Sequence, residues 1–402
     1  MSHPTQVLFT GPLISFAEGF AQELINQGYR PHAATHQLRL IAHLSRWLDA
    51  RGMASEDITP VILNKFLVAR RLRGYALWRS PQALMPFLGY LRSRGLVMGF
   101  PKRQHSPTEE LLTLYGKYLL DVRGLAKSSA QEYVKLVRPF VMHRLVDGEF
   151  DWVHLTGADL VAFVRNACRG LSLASSKLLV TVLRSFLGYL HLEGLIHRPL
   201  TSAVPAVSGS KLASLPRALQ ADEVARLLAA CRRRTRTGRR DFAILMLLVR
   251  LGLRAGEVRT LSVDDVDWRA GELVIRGKGT RLERMPLPAD VGCALAVYLR
   301  RGRPTTAQGR TIFVRIHAPH RALTGVGVTN VVRMAASQAG LIGVTAHRLR
   351  HTVATQMVRS GVSLPEISQV LRHRRLITTA IYAKVDREGL RPLARRWPGS
   401  LP

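Results

Sequence analysis

Acidic residues are scarce in this chain: 27 Asp and Glu stand against 59 Lys and Arg, a formal charge of +32 at neutral pH. So lopsided a field disfavours basic partners and attracts polyanions, nucleic acid first among them. Cysteine is nearly absent too. Cys168, Cys231 and Cys293 lie far apart with no C-x-x-C pair, which argues against a disulfide framework or a thiolate zinc site and suits a reducing compartment. Long hydrophobic runs are missing as well. The stretch Phe242 to Leu253 contains Arg250 and, at about a dozen residues, is too short to span a bilayer. The N-terminus lacks the basic and apolar regions of a secretory signal, so a cytoplasmic protein with no membrane partner is expected. What the chain does have is 47% hydrophobic residues with its charges scattered, the pattern of packed domains and not of a basic disordered tail.

Apolar residues three and four apart run from Leu13 to Leu96 and predict helical segments Phe16–Gln27, His36–Ala50, Thr59–Arg71 and Ser80–Arg94. A second helical stretch, Thr108 to Leu195, repeats the plan. Phe87-Leu88-Gly89-Tyr90-Leu91 recurs as Phe186-Leu187-Gly188-Tyr189-Leu190 at an offset of 99, and Ile58-Thr59 matches Leu155-Thr156 at an offset of 97. A period that long points to a duplicated small domain and not to a solenoid. Pro199, Pro205, Gly209 and Pro216 then break the chain, so Pro199–Arg217 reads as a linker.

Beyond it, a helix is expected over Asp222–Arg234, ending in the basic cluster Arg232-Arg233-Arg234. A buried apolar helix, Asp241–Arg250, follows and turns at Gly252. Gly271–Ile275 and Arg281–Leu287 flank a glycine-rich turn and predict a β-hairpin with Lys278 at its tip. Helix Ala289–Arg300, a short strand Thr311–Val314 and helix Thr324–Ala339, stopped by Gly340, complete this region.

Chemistry-bearing residues crowd together after Thr345, a plausible N-cap. His347, Arg350 and His351 fall at i, i+3 and i+4, neighbours on one side of a helix, while Leu349, Val353 and Met357 seat it in the core. A helix start carrying Arg and His suits a phosphate, although a solvated basic turn has the same pattern. His347 and His351 also match a metal-binding H-x-x-x-H. The zincin pattern, however, needs Glu after the first His, where this chain has Arg348, so no metal is expected. Ser363-Leu364-Pro365-Glu366 is a capping box opening a second helix, which turns Ile367, Val370 and Leu371 inward and ends at His373. Thr378-Thr379 then leads to Tyr382.

R-A-G-E after an apolar helix, a hairpin lysine, H-x-x-R-H, L-x-H and T-T-x-x-Y, in this order from Arg254 to Tyr382, resemble the tyrosine recombinase (phage integrase) family. The resemblance covers about Leu219 to Val385, and Thr108–Leu195 is similar to the family's core-DNA-binding domain. It implies a mainly α fold: two small helical, SAM-like domains (1–103 and 104–200), a linker (201–217) and a mixed α+β catalytic domain (218–402). It also implies that Arg254 and Arg350 hold the scissile phosphate, that His347 is a proton acceptor or hydrogen-bond donor beside Tyr382, and that His373 donates to the phosphate. Tyr382 would attack phosphorus to give a 3′-phosphotyrosyl link, and Lys278 would protonate the leaving 5′-oxygen, with neither metal, ATP nor other cofactor.

The implied partners are double-stranded DNA with paired half-sites, a homo-tetramer assembled on it, and accessory directionality proteins. The implied event is integration, excision or transposition of a mobile element. Candidate DNA contacts are Lys127, Lys135, Arg138, Lys177 and Arg184. Two positions depart from the family pattern: Arg372 stands where glycine is common before the second-motif histidine, and Arg348 where an acidic or small residue is common. A type IB topoisomerase would relax one duplex without pairing two sites, and an accessory DNA-binding protein would bind without forming a covalent adduct.

Overall fold

The computed structural model describes residues 7–95, 106–209, 218–277, 282–373, 379, 381 and 382. Among them, those of 1–97 and 214–402 gather into one compact unit and those of 98–213 into another. The first helical region holds α1 (Ala17–Asn26), α2 (Pro31–Asp49), α3 (Pro60–Leu72) and α4 (Met85–Ser93). Helix α2 starts earlier than the expected His36, because Pro31 occupies its first turn, where a missing N–H costs nothing. Phe20 and Phe87 meet edge to face at 5.0 Å in the core of this region.

The second unit contains α5 (Pro107–Asp121), α6 (Lys127–His143), a small hairpin of β1 (Leu145–Val146) and β2 (Glu149–Phe150), α7 (Gly157–Ala167) and α8 (Leu173–Leu192). The hairpin was not expected. Its turn is Asp147-Gly148, both at positive φ (49° and 89°), the conformation an Asp-Gly pair favours in a tight hairpin. Helix α8, and not Phe242–Leu253, is the most membrane-like segment. By length and composition it is long and apolar enough to cross a bilayer, yet half of it is buried, with Leu183, Phe186, Leu187 and Leu190 in the core of this unit. The start of the expected linker also folds: Leu200–Ala203 make a 3-10 turn and Val204 is 1% exposed against the same core.

The sequence repeat has the same physical role in both copies. Phe87, Leu88, Tyr90 and Leu91 are buried on α4, as Phe186, Leu187, Tyr189 and Leu190 are on α8. Thr59 and Thr156 each cap the following helix by accepting a backbone N–H at 3.3 Å, while Ile58 and Leu155 beside them point into their cores.

The remaining region comprises α9 (Ala221–Ala229), α10 (Arg236–Arg250), α11 (Ala255–Thr260), β3 (Val266–Asp267), β4 (Glu272–Arg276), β5 (Leu282–Pro286), α12 (Ala289–Arg301), α13 (Gly325–Gln338), α14 (Ala346–Arg359) and α15 (Leu364–Val370). Helix α10 is its centre, with Ala243 to Val249 all buried. The three strands form an antiparallel sheet in the order β3-β4-β5, registered from Glu272 opposite Pro286 to Arg276 opposite Leu282. Three expectations need correction. Arg232–Arg234 do not extend α9, which ends at Ala229, but fill the turn before Thr235 caps α10. Thr311–Val314 make two isolated bridges, to Ser262 and Ala322, because the segment on each side pairs at one position only, too briefly for a ladder. Val370 is 42% exposed, since α15 is a single short helix whose inward stripe is Ile367 and Leu371.

Candidate active site

The Thr345 hydroxyl accepts the Arg348 amide at 3.1 Å and so fixes the first turn of α14. From that start Leu349 and Val353 face inward, and Arg350 is carried to 3% exposure. Its guanidinium donates Nη1 to the Gly252 carbonyl at 2.7 Å and Nη2 to the Leu371 carbonyl. Gly252 is required there twice over: its φ is +58°, and a Cβ would lie 2.9 Å from the Leu371 side chain. Burial, with repulsion from Arg254 and Arg372, pulls the Arg350 pKa down to about 9. The buried cation is therefore under-compensated and suited to an incoming anion.

Arg254 stands at the start of α11. Its amide and its Nη1 both donate to Glu257, at 2.8 and 2.6 Å, and its Nη2 donates to the Arg372 carbonyl at 3.1 Å. Glu257 is 5% exposed and also takes Arg372 Nη2 at 3.0 Å. Burial works to raise this carboxyl, and Arg372 and Arg254 outweigh it, holding it below the usual carboxylate range. Arg372 adopts φ +55°, a left-handed backbone that costs a non-glycine residue roughly 1 kcal/mol or more. The ion pair with Glu257 offsets that strain and gives a physical account of why a residue other than glycine can stand before His373.

His373 shares a 2.7 Å hydrogen bond between its Nδ1 and the hydroxyl of Thr379, itself fully buried. The Tyr382 amide donates to the Thr379 carbonyl at 2.9 Å, and the tyrosine is 2% exposed. Its phenol meets Nδ1 of His351 at 2.6 Å, and the His347 ring lies edge-on to that of His351 at 4.3 Å. Burial, then His347 and Arg350, push His351 down to about 4. Burial, then Arg350 and Arg254, do the same to His373, and His347 is lowered for the same reasons. Burial pushes the Tyr382 phenol up to about 12, against the pull of Arg350. At neutral pH the phenol thus keeps its proton and His351 is neutral; in the tautomer with the ring proton on Nε2, Nδ1 is an acceptor in position to receive the phenol's proton.

Of the residues singled out from sequence, Arg254, His347, Arg350, His373 and Tyr382 come together here, and Lys278 lies outside the described residues, between Arg276 of β4 and Leu282 of β5. The histidine bonded to Tyr382 in this conformation is His351, with the His347 ring packed against it at 4.3 Å. Glu257, which organises both Arg254 and Arg372, stood in the sequence only as the last residue of R-A-G-E; the structure makes it the carboxylate that caps the Arg254 amide. Among the expected DNA contacts, Lys127 and Lys135 are exposed on α6, whereas Arg138 of the same helix is ion-paired with Glu109. On α8, Lys177 donates to the Gly209 carbonyl and Arg184 to that of Val204.

The model of the Phage integrase family matches residues 217–388, and that of its N-terminal SAM-like domain matches 112–194. The Sinorhizobium fredii protein y4rA, whose name places it among the integrases/recombinases, is 40% identical over 394 residues, covering 97% of this chain and 95% of its own length. The tyrosine recombinase XerD of Listeria monocytogenes is 29% identical over 294 residues, 72% of this chain and 98% of XerD. Among solved structures, XerH bound to difH substrate superposes with a TM-score of 0.55 at 20% identity, covering 75% of this chain and 99% of XerH. A lambda integrase dimer on a COC' core site gives 0.52 at 20% identity, over 73% of this chain and 98% of that one. These matches and the assembled site agree: the chain belongs to the tyrosine recombinase (phage integrase) family, enzymes that cut and rejoin DNA in site-specific recombination.

Proposed function

We propose that this chain exchanges strands between paired DNA sites through a covalent bond to Tyr382, in the integration, excision or transposition of a mobile element. The observation that carries the reading is a phenol hydrogen-bonded to a neutral histidine at 2.6 Å, beside Arg350 and within one ring contact of His347. In the first step the phenol oxygen attacks phosphorus and its proton passes to His351. The bond from phosphorus to the 5′-oxygen breaks, and that oxygen takes a proton from Lys278. Arg254 and Arg350 neutralise the charge that gathers on the non-bridging oxygens, and His373 donates to the same phosphate. Attack by the 5′-hydroxyl of another strand reverses the step and frees the phenol. Because the phosphodiester energy stays in the tyrosyl link, no ATP is consumed, and the arginines do the electrostatic work that a metal would otherwise do.

In the conformation described, Tyr382 is 2% exposed and both terminal nitrogens of Arg350 bond to backbone carbonyls. Engagement of DNA therefore has to uncover the phenol and exchange those carbonyls for phosphate oxygens. The domain plan that fits is a first helical domain (1–103), a core-binding domain (104–200), a linker (201–217) and a catalytic domain (218–402), working on paired half-sites as a homo-tetramer in the cytoplasm, with Lys127 and Lys135 among the phosphate contacts. The test is to trap protein on DNA in denaturant, digest, and sequence the attached strand. Wild type should carry a 3′-linked strand on Tyr382, and Tyr382→Phe none. A protein that binds DNA yet never becomes attached to it would be an accessory factor and not the enzyme.

A further inference from the structure

The first helical domain lies N-terminal to both family-model matches and contains a cavity of about 310 Å³ unrelated to the tyrosine site. One wall is a face of α2 with His36, Arg39, Leu40 and His43 at helical spacing, another is Arg70 near the end of α3, and the loop Tyr75 to Trp78 closes it. No carboxylate lines it among the described residues. Arg70 is the telling group. It is 7% exposed, its Nη2 donates to the Leu77 carbonyl at 3.3 Å, and its Nε is buried with no hydrogen-bond partner. It forms no ion pair among the described residues, and its guanidinium lies 4.2 Å from the centre of the Tyr75 ring. A buried guanidinium with no counter-ion is expensive, and an anion in the cavity that Arg70 lines would reduce that cost through its charge.

The rest of the wall says which anion. Trp78 is held at φ +61° with its ring stacked on His36 at 6.5 Å and 27°, and Tyr75 packs edge-on to His43 at 5.4 Å. Flat aromatic faces beside Arg70 and the exposed Arg39 offer a surface for a ring and a socket for its phosphate. Base stacking on aromatic side chains with arginine at the backbone is how unpaired nucleic-acid strands are held, and the cavity volume is at the lower end of ligand pockets. We propose that this cavity binds one nucleotide of an unpaired DNA strand, its phosphate on Arg70 and Arg39 and its base against Trp78 and Tyr75. Such binding would be independent of the tyrosine chemistry, since every residue lining the cavity lies between 36 and 78.

The experiment uses the full chain and a single-stranded oligonucleotide carrying 5-iododeoxyuridine, with photocrosslinked peptides mapped by mass spectrometry. The expected adduct is on Tyr75 or Trp78, and Arg39→Ala, an exposed change that leaves the core intact, should lower its yield at least tenfold. Trp78→Ala should remove the Trp78 adduct at unchanged circular dichroism. Adducts confined to residues beyond 106, or a yield indifferent to Arg39→Ala, overturn the proposal. Competitors separate the sources. A longer unlabelled strand that protects where thymidine monophosphate does not supports the strand, protection by the mononucleotide alone supports the same site with a free nucleotide, and equal protection by inorganic phosphate overturns the role of the base.

Discussion

Arg350 and Arg70 are both buried guanidinium groups, at 3% and 7% exposure, and neither makes a direct ion pair among the described residues. They differ in how each is made tolerable. Arg350 has two backbone carbonyls as acceptors and Glu257 nearby to raise its pKa, so its site is built around a charge network. Arg70 has one carbonyl and the faces of Tyr75 and Phe66, and nothing acidic lines its cavity. The contrast is in what surrounds two arginines that both rest on neutral acceptors: histidines and a phenol in one case, aromatic rings in the other, and on the two proposals above these neighbours set which anion each would take.

The largest effect that would sharpen this contrast is on strand cleavage. Arg350→Ala should lower the rate of covalent adduct formation by about a hundredfold to a thousandfold, the scale for losing a donor to a developing oxyanion. Arg70→Lys should leave that rate within a few-fold and weaken crosslinking at Trp78. Equal losses of adduct formation in both would break the comparison.

Next is the carboxylate that one site has and the other lacks. Glu257→Gln removes the nearer carboxylate of Arg372, at 6% side-chain exposure, leaving only Glu283 at 4.0 Å, and should cost about 3 kcal/mol by denaturant unfolding, as breaking a buried pair does. Arg372→Gly removes the same ion pair but also relieves the φ of +55° and should cost less. A larger loss for Arg372→Gly would mean that the ion pair is not what holds this turn.

The pH dependence follows in size. His351 and His373 have folded pKa values of about 4, below the ordinary 6.5, so below 6.5 the unfolded chain binds more protons than the folded one. Stability is therefore full above that value and is lost as pH falls toward 4. A thermal melting series from neutral to acid should fall across this window, and His351→Gln should flatten it. A slope indifferent to both histidines would mean that they do not titrate as buried neutral groups. The smallest effect compares the two helical copies: Thr59→Ala and Thr156→Ala should each cost about 1 kcal/mol, and similar costs would match their shared capping role.

What was legible from sequence was local or motif-borne. Thr345 and Ser363 announce their helices because capping is a matter of a few residues, and the β4–β5 hairpin follows from glycines between extended runs. The repeat was readable because its residues keep one burial pattern in both copies. What was not legible depends on chain segments meeting. His347 and His351 are equivalent by spacing, and only the placement of residue 382 says which receives the phenol. The cavity around Arg70 draws on α2, α3 and the loop after it, so no short window of sequence contains it. The β1–β2 hairpin escaped because two-residue strands leave almost no alternation to detect.

The cover over Tyr382 has a kinetic meaning. The Tyr382 oxygen is turned into the protein and tied to His351. On the mechanism proposed above, each cut would begin with an opening that a phosphodiester meeting the closed site cannot use. Selectivity would then lie in the binding that releases one phenol, ahead of any chemistry at phosphorus.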